Sequence, residues 1–327
     1  MTKTATLWDC SNCTLAGSEN ERREKMACKM LDGEKRAAEI KEELKKELAE
    51  LAARGVKPHL VAVQVGENKA SEVYIRSQQK AFSELGIDYT LKTLPGDITK
   101  DALVKEIEAL NGDGTYTGII LQMPLPQQIN AREIQACISP DKDVEAINAR
   151  NMGKLVAGDL TLGPCTAAAA MELYKTTGEP LKGKDVVVVG HSEIVGKPLA
   201  LMLLWHPTES ATPTVCHIAT KDLKAHLKRA DVVFVAVGKA GLVNGADLKP
   251  GAIAIDIGIN RVPVKDKDGN PVLNEKGKPK MKTVGDIDAE SAEKVCSWLS
   301  PVPGGVGPIT VVMLMRNTVR LAGMAGG

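Results

Sequence analysis

Apolar positions along the first half of the chain alternate between two spacings. From Glu34 to Ala53, Ile40, Leu44, Leu48 and Leu51 line one helical face, with Glu42 and Lys46 four apart on the other side. Gly55 and Pro58 stop that helix. His59 to Val65 predicts a strand, ended by Gly66. A second helix is predicted over Ala70 to Leu85 with Gly86 as its cap, and a third over Lys100 to Leu110. Gly118 to Gln122 then reads as a strand running into Pro124-Leu125-Pro126.

After Pro164-Cys165-Thr166 an alanine run predicts a helix, and a second series follows. Its strands are predicted at Asp185–Val189, Thr214–Ile218, Val232–Val237 and Ala252–Ile257, with helices at Gly196–Leu204 and Lys221–Arg229. Short β-branched strands joined by helical crossovers imply a parallel, Rossmann-like sheet, so the fold class is α/β with two domains. Residues 261–283 differ: Asp268-Gly269-Asn270-Pro271 and Glu275-Lys276-Gly277-Lys278-Pro279 are turn chemistry in a charged surface excursion. A last helix is predicted over Ile309 to Leu321.

Composition narrows the function. The 327 residues carry a net charge of +1, which argues against a broad nucleic-acid surface. No apolar run is long enough to span a bilayer. Residues 1–25 show no periodicity and no secretory apolar core, and read as a flexible tail. Cys10 and Cys13 form a CxxC, but no second pair or nearby His completes a zinc set, so no metal is expected. The chain has seven cysteines, an odd count that suits reduced thiols in the cytoplasm. Cys165, Cys216 and Cys296 read as core thiols, and His206 and His226 as surface residues.

The turn Gly190-His191-Ser192-Glu193-Ile194-Val195-Gly196 follows a strand and opens a helix. Backbone N–H groups at such a helix start suit a pyrophosphate, although the turn departs from GxGxxG. Val237-Gly238 and Ile257-Gly258-Ile259-Asn260 end their strands in glycines, which lets a flat ring approach the backbone. The second strand runs out through His217-Ile218-Ala219-Thr220-Lys221, with no acid for a ribose and only Lys221 as a nearby cation.

From about Met26 onwards the chain resembles the methylenetetrahydrofolate dehydrogenase/methenyltetrahydrofolate cyclohydrolase family. Ordered anchors carry the resemblance. They are Met30-Leu31-Asp32-Gly33, Ser71-x-x-Tyr74, Gln122-Met123-Pro124-Leu125-Pro126, Lys142-Asp143-Val144, Pro164-Cys165-Thr166, Gly190-x-Ser192-x-x-Val195-Gly196-x-Pro198, Asp256-x-Gly258-Ile259-Asn260 and the run Pro301 to Pro308. The resemblance implies a folate-binding catalytic domain over 26–163 plus 309–327, an NAD(P)-binding domain over 164–308, and a cleft between them. It implies hydride transfer from methylenetetrahydrofolate to NAD or NADP, then ring opening by water, in a homodimer joined through the cofactor domain. Tyr74, Gln78, Gln122 and Glu145 fall at its catalytic positions. Asp143, Pro301, Gly304 and Gly305 join Tyr74, Gln122 and Glu145 against folate. Gly190, His191, Ser192, Val195, Ile218, Gly238 and Ile259 fall at cofactor positions.

Several positions depart from the family pattern. Where it has Tyr-x-x-x-Lys, this chain has Tyr74-Ile75-Arg76-Ser77-Gln78. Lys80 lies about 200° around the helix from position 78 and is a poor substitute. Gln has no titratable proton near neutral pH and is not a general acid or base. Hydride transfer needs mainly two aligned rings. The expectation is therefore that dehydrogenase activity persists and cyclohydrolase activity is weak or absent. Glu145-Ala146 stands where the family has Asp-Gly, and His191 and Ile218 replace an Arg and a Ser that hold a 2′-phosphate, which favours NAD. Full bifunctionality, a non-catalytic folate or nucleotide sensor, and a different two-domain dehydrogenase remain as alternatives.

Overall fold

A computed structural model describes residues 27–67 and 69–326. The expected tail, with Cys10 and Cys13, lies outside the described residues. Two parallel sheets organise the chain. The smaller one has β2 (His59–Val65) at its centre, flanked by β3 (Asp88–Leu94) and β4 (Gly118–Leu121). Every residue of β2 except His59 is buried, Gln64 included, as suits the central strand of a parallel sheet. β3 has no apolar run and escapes the hydrophobic pattern. Its Tyr89, Thr90 and Thr93 are strand formers on a half-exposed edge strand.

The larger sheet has six strands in the order β1-β11-β8-β7-β5-β6, all parallel. Four are the expected ones: β5 (Asp185–Val189), β6 (Thr212–Cys216), β7 (Val232–Val235) and β8 (Ile253–Asp256). β6 begins two residues earlier than the apolar pattern suggests. It is an edge strand, so Pro213 costs it no ladder hydrogen bond. β1 (Lys29–Met30) and β11 (Trp298–Leu299) are two residues each, too short for any periodicity. β1 corrects the expected boundary at 26: residues 29 and 30 pair into the larger sheet, not the smaller one. The charged excursion is an antiparallel hairpin, β9 (Asn260–Pro263) with β10 (Met281–Val284).

Helices cover the sheets. α1 (Gly33–Ala53) is capped by Asp32, whose side chain accepts from Lys35 N at 2.9 Å. It buries Ala37, Ile40, Leu44 and Leu51. α2 (Lys69–Glu84) and α3 (Lys100–Gly112) follow their strands as expected. The short helices α4 (Ala131–Cys137) and α5 (Ala149–Val156) each begin at an Asn that caps a backbone N–H. α6 (Cys165–Lys175) buries Ala167, Ala169 and Ala170 completely. α7 (Gly196–Leu203), α8 (Leu223–Arg229) and the one-turn α9 (Ala289–Ala292) complete the larger unit. The last helix, α10 (Val306–Ala325), starts earlier than Ile309 because Pro308 falls in its first turn, where no N–H is needed. α10 packs along α6 and α1 and also touches α2, β2 and β4.

An ion network ties α1, α6 and α10 together. Arg36 Nη2 meets Glu172 Oε2 at 2.6 Å and Arg36 Nη1 meets Glu43 at 2.9 Å. Arg316 bridges Glu43 at 2.9 Å and Glu172 at 3.4 Å, and Lys175 adds 2.8 Å to Glu172. Burial pushes the Glu172 carboxyl up, but hydrogen bonds from Lys175 and Arg36 and the Arg316 charge overcome it and hold it at about 2. A lowered folded-state value gives stability that is present above the ordinary carboxylate range and lost as pH falls towards 2. Between roughly pH 5 and pH 2 the chain should therefore lose on the order of 3 kcal/mol more stability than the Glu172→Gln variant. Urea unfolding of both proteins across that range measures the difference.

Candidate active site

Tyr74 and Gln78 lie one turn apart on α2. Tyr74 is 44% exposed, whereas Gln78 is wholly buried. Gln122 leaves the carboxyl end of β4, with its backbone N bonded to Val63 O at 2.8 Å. Its side-chain Nε2 donates to Gln78 Oε1 at 2.9 Å. The Tyr89 hydroxyl of β3 donates to the same oxygen at 2.9 Å. Burial pushes the Tyr74 phenol up, and the adjacent Gln78 amide opposes that shift. Tyr89 is a site residue that the sequence pattern does not reveal, because β3 carries no apolar signal.

Glu145 and Asp143 behave differently although both are acids on one short segment. Asp143 is buried, and its Oδ2 accepts from Asn148 N at 2.7 Å and Asn151 Nδ2 at 3.2 Å. Its carboxylate thus holds the start of α5. Glu145 has no side-chain hydrogen bond among the described residues. Desolvation, and then the Asp143 charge, push its carboxyl up to about 8. Ala146, next to it, has φ of 55°, in the left-handed region. None of the charged groups that shift Tyr74, Tyr89 or Glu145 is an amine or guanidinium. Lys80 is exposed.

Across from α2, the run 301–308 and the segment Ile257-Gly258-Ile259 complete a cavity of about 340 Å³ with Tyr74. Pro301, Gly304, Gly305 and Ile259 all line it. Ile259, expected with the cofactor, therefore sits where the two expected sites meet.

A second cavity of about 590 Å³ lies over the carboxyl edge of the larger sheet. Gly190, His191, Ser192, His217, Ile218 and Thr220 line it. Val195 and Gly238 are not on its wall; Val195 caps α7, and its N donates to Ser192 Oγ at 3.2 Å. Gly190 has φ of 111°, and a Cβ there would enter the Ala236 carbonyl, so the turn demands glycine. The His191 and His217 rings lie 5.0 Å apart. Arg132 of α4 reaches this cavity and pairs with Glu193 at 2.9 Å, linking the smaller unit to the turn.

Two buried carboxylates fix the strand ends between the cavities. Asp286 Oδ2 accepts from Val237 N at 2.6 Å and Gly238 N at 2.9 Å, and Asn260 Nδ2 donates to Oδ1 at 2.8 Å. Asp256 accepts from the backbone N of Gly258, Asp286 and Ile287 at 2.7–3.0 Å. Burial pushes the Asp256 carboxyl up to about 6. Asp286 was not singled out in the sequence, because it follows a charged surface hairpin.

The family models "Tetrahydrofolate dehydrogenase/cyclohydrolase, catalytic domain" and "Tetrahydrofolate dehydrogenase/cyclohydrolase, NAD(P)-binding domain" match residues 31–145 and 164–325. The chain belongs to the tetrahydrofolate dehydrogenase/cyclohydrolase family. It is 43% identical over 297 residues to the bifunctional protein FolD of Acetivibrio thermocellus, covering 91% of this chain and 98% of that one. It is 46% identical over 267 residues to FolD 2 of Mesorhizobium japonicum, covering 82% of each. Among solved structures, the bifunctional FolD dehydrogenase/cyclohydrolase of Campylobacter jejuni is similar, with a TM-score of 0.82 and 40% identity over 91% of this chain and 100% of that one. The Trypanosoma brucei enzyme, solved with NADP cofactor and inhibitor, gives 0.80 and 36% over 91% and 98%. The expected family and the two-domain α/β fold thus hold.

Cys216 and Cys296 are buried, Cys165 is half-buried, and all three are free. No group of three or more potential ligands for a metal occurs among the described residues. No described helix is long and apolar enough to cross a membrane.

Proposed function

We propose that this chain oxidises 5,10-methylenetetrahydrofolate to 5,10-methenyltetrahydrofolate and transfers the hydride to a nicotinamide cofactor. The carrying observation is the half-exposed Tyr74 facing Ile257–Ile259 across one cavity. A tyrosine face there supports a flat ring, and the glycine-ended strand lets a second ring approach. When bound, the nicotinamide supplies the hydride acceptor. The second cavity fits such a cofactor: its Gly190 turn opens α7 with backbone N–H groups, and its far wall carries His191, His217 and Ile218.

Losing a hydride from the one-carbon bridge leaves a methenyl cation and moves no proton. Alignment and exclusion of water are then the main demands on the protein. Ring opening differs, because attack by water requires a base and departure of a ring nitrogen requires an acid. Gln78, Gln122 and two raised phenols offer neither near neutral pH, and Glu145, the one titratable carboxyl there at about 8, is assigned to the N–H edge of the pterin and not to the water or the leaving nitrogen. The proposed enzyme is therefore a dehydrogenase with weak or absent cyclohydrolase activity. His191 has no guanidinium fork and Ile218 is fully exposed without a hydroxyl, which supports NAD over NADP. Five free cysteines among the described residues suit a reducing compartment, and the proposed location is the cytoplasm.

Separate assays of both steps test this reading. Wild type should reduce NAD with methylenetetrahydrofolate at a higher kcat/KM than NADP, and should open methenyltetrahydrofolate weakly or not at all above buffer. Gln78→Lys should gain ring opening. Robust hydrolysis by wild type would overturn the single-step reading.

Glu145 generates a pH signature. Its ionised form is the one that accepts from the amidine-like N–H edge of a pterin. With the carboxyl at about 8, raising the pH from 7 to 9 should lower the folate KM by about tenfold, and Glu145→Gln should flatten that profile.

A homodimer through the larger unit is proposed on the open edge of β6, where Val215 is 40% exposed. Light scattering should give twice the chain mass, and Val215→Lys should shift it towards the monomer.

A further inference from the structure

The Gln78 amide is satisfied at one end only. Its Oε1 accepts from both Tyr89 Oη and Gln122 Nε2, each at 2.9 Å, which uses both lone pairs. Its Nε2 is buried without a hydrogen-bond partner among the described residues. Turning the amide over would set its NH2 against the NH2 of Gln122, so Gln122 selects the orientation and the Tyr89 hydroxyl, donating to the same oxygen, fixes the amide in it. An unpaired buried amide donor costs roughly 1–3 kcal/mol, and a native protein keeps one where something else completes it. Tyr74, one turn earlier on the same helix face, lines the cleft, which puts the amide in the layer directly beneath it.

Among the described residues the Tyr89 hydroxyl donates to Gln78 and lies beside Gln122. It sits on the edge strand β3 with its ring edge-on to Phe82, 5.4 Å between centroids. Burial holds its phenol well above the ordinary range, so the hydroxyl remains a donor at every working pH. We infer that Tyr89 is a positioning residue whose hydroxyl, together with Gln122, locks the Gln78 amide so that Nε2 is presented as a neutral donor to an acceptor atom of the bound pterin. Position 78 then recognises substrate in its own right, as a fixed donor held from the sheet below. This inference rests on the folate reading above and adds to it a residue outside the helix that carries Tyr74 and Gln78.

The test is a double-mutant cycle read in the Kd for tetrahydrofolate, a non-reacting ligand with the same ring system, by calorimetry. Tyr89→Phe keeps the ring and its contact with Phe82 and removes only the hydroxyl. It should raise the tetrahydrofolate Kd about fivefold and leave the Kd for the nicotinamide cofactor unchanged. In a Gln78→Met background, where there is no amide to orient, Tyr89→Phe should change the tetrahydrofolate Kd less than about twofold. A wild-type Kd for Tyr89→Phe, or the same loss in both backgrounds, would overturn the positioning role. A wild type that binds tetrahydrofolate without turning over methylenetetrahydrofolate would remove the dehydrogenase reading alone and leave the cycle to decide on Tyr89. A wild type that binds no tetrahydrofolate would overturn both.

Discussion

The cleft exists because α10 lies against the alanine face of α6. Ala167, Ala169 and Ala170 bring two helix backbones close, and the far side of α10 meets α1 and the smaller sheet. The chain thereby sends its last helix back to the unit it began with. Meanwhile β1, from near the start, pairs into the larger sheet beside β11. Each unit completes its core with a piece from the other end of the sequence. Cutting the chain between the two matched regions, after 145 or before 164, would leave both cores short of an element. The Arg36–Glu43–Glu172–Arg316 network sits at this junction and supplies charge-assisted bonds where α1, α6 and α10 meet.

On that frame the chemistry is decided by desolvation. Gln78, Gln122 and Asp143 are buried and Glu145 is strongly desolvated. A protonated amine in such a place would need a carboxylate partner, whereas an amide needs only hydrogen bonds. Tyr89 and Gln122 supply two of them. The amide pair is therefore satisfied without a charge of its own. The strand ends opposite are fixed by Asp256 and Asp286, whose backbone bonds stiffen the loops that flank the cofactor cavity.

Much of this was legible in the residues themselves. Mostly apolar runs marked β2, β5, β7 and β8, and helical spacing marked α1, because those elements bury one or both faces. The glycine turn at 190–196 and the run 301–308 carried the two cavities, since backbone approach demands glycine and proline there. What stayed hidden was short, polar or held by distant pairing. β1 and β11 are specified by each other across the whole chain, and no local pattern encodes two residues. α4 and α5 are announced only by Asn130 and Asn148. Spacing does not show which way a carboxylate turns, so the bonds that Asp143 accepts from Asn148 and Asn151, five and eight residues on, emerge only from the fold. Tyr89 is polar on a weak strand, and only the fold brings it to Gln78.

The backbone at Ala146 has one more consequence. A side-chain methyl in the left-handed region costs on the order of 1 kcal/mol, which glycine would avoid. That methyl is also buried, so the loop has few conformers to visit on either side of the bend. Glu145 consequently projects from a stiff pedestal. The position of its carboxyl is then governed by the side chain's own length, one methylene more than an aspartate's, and not by movement of the loop.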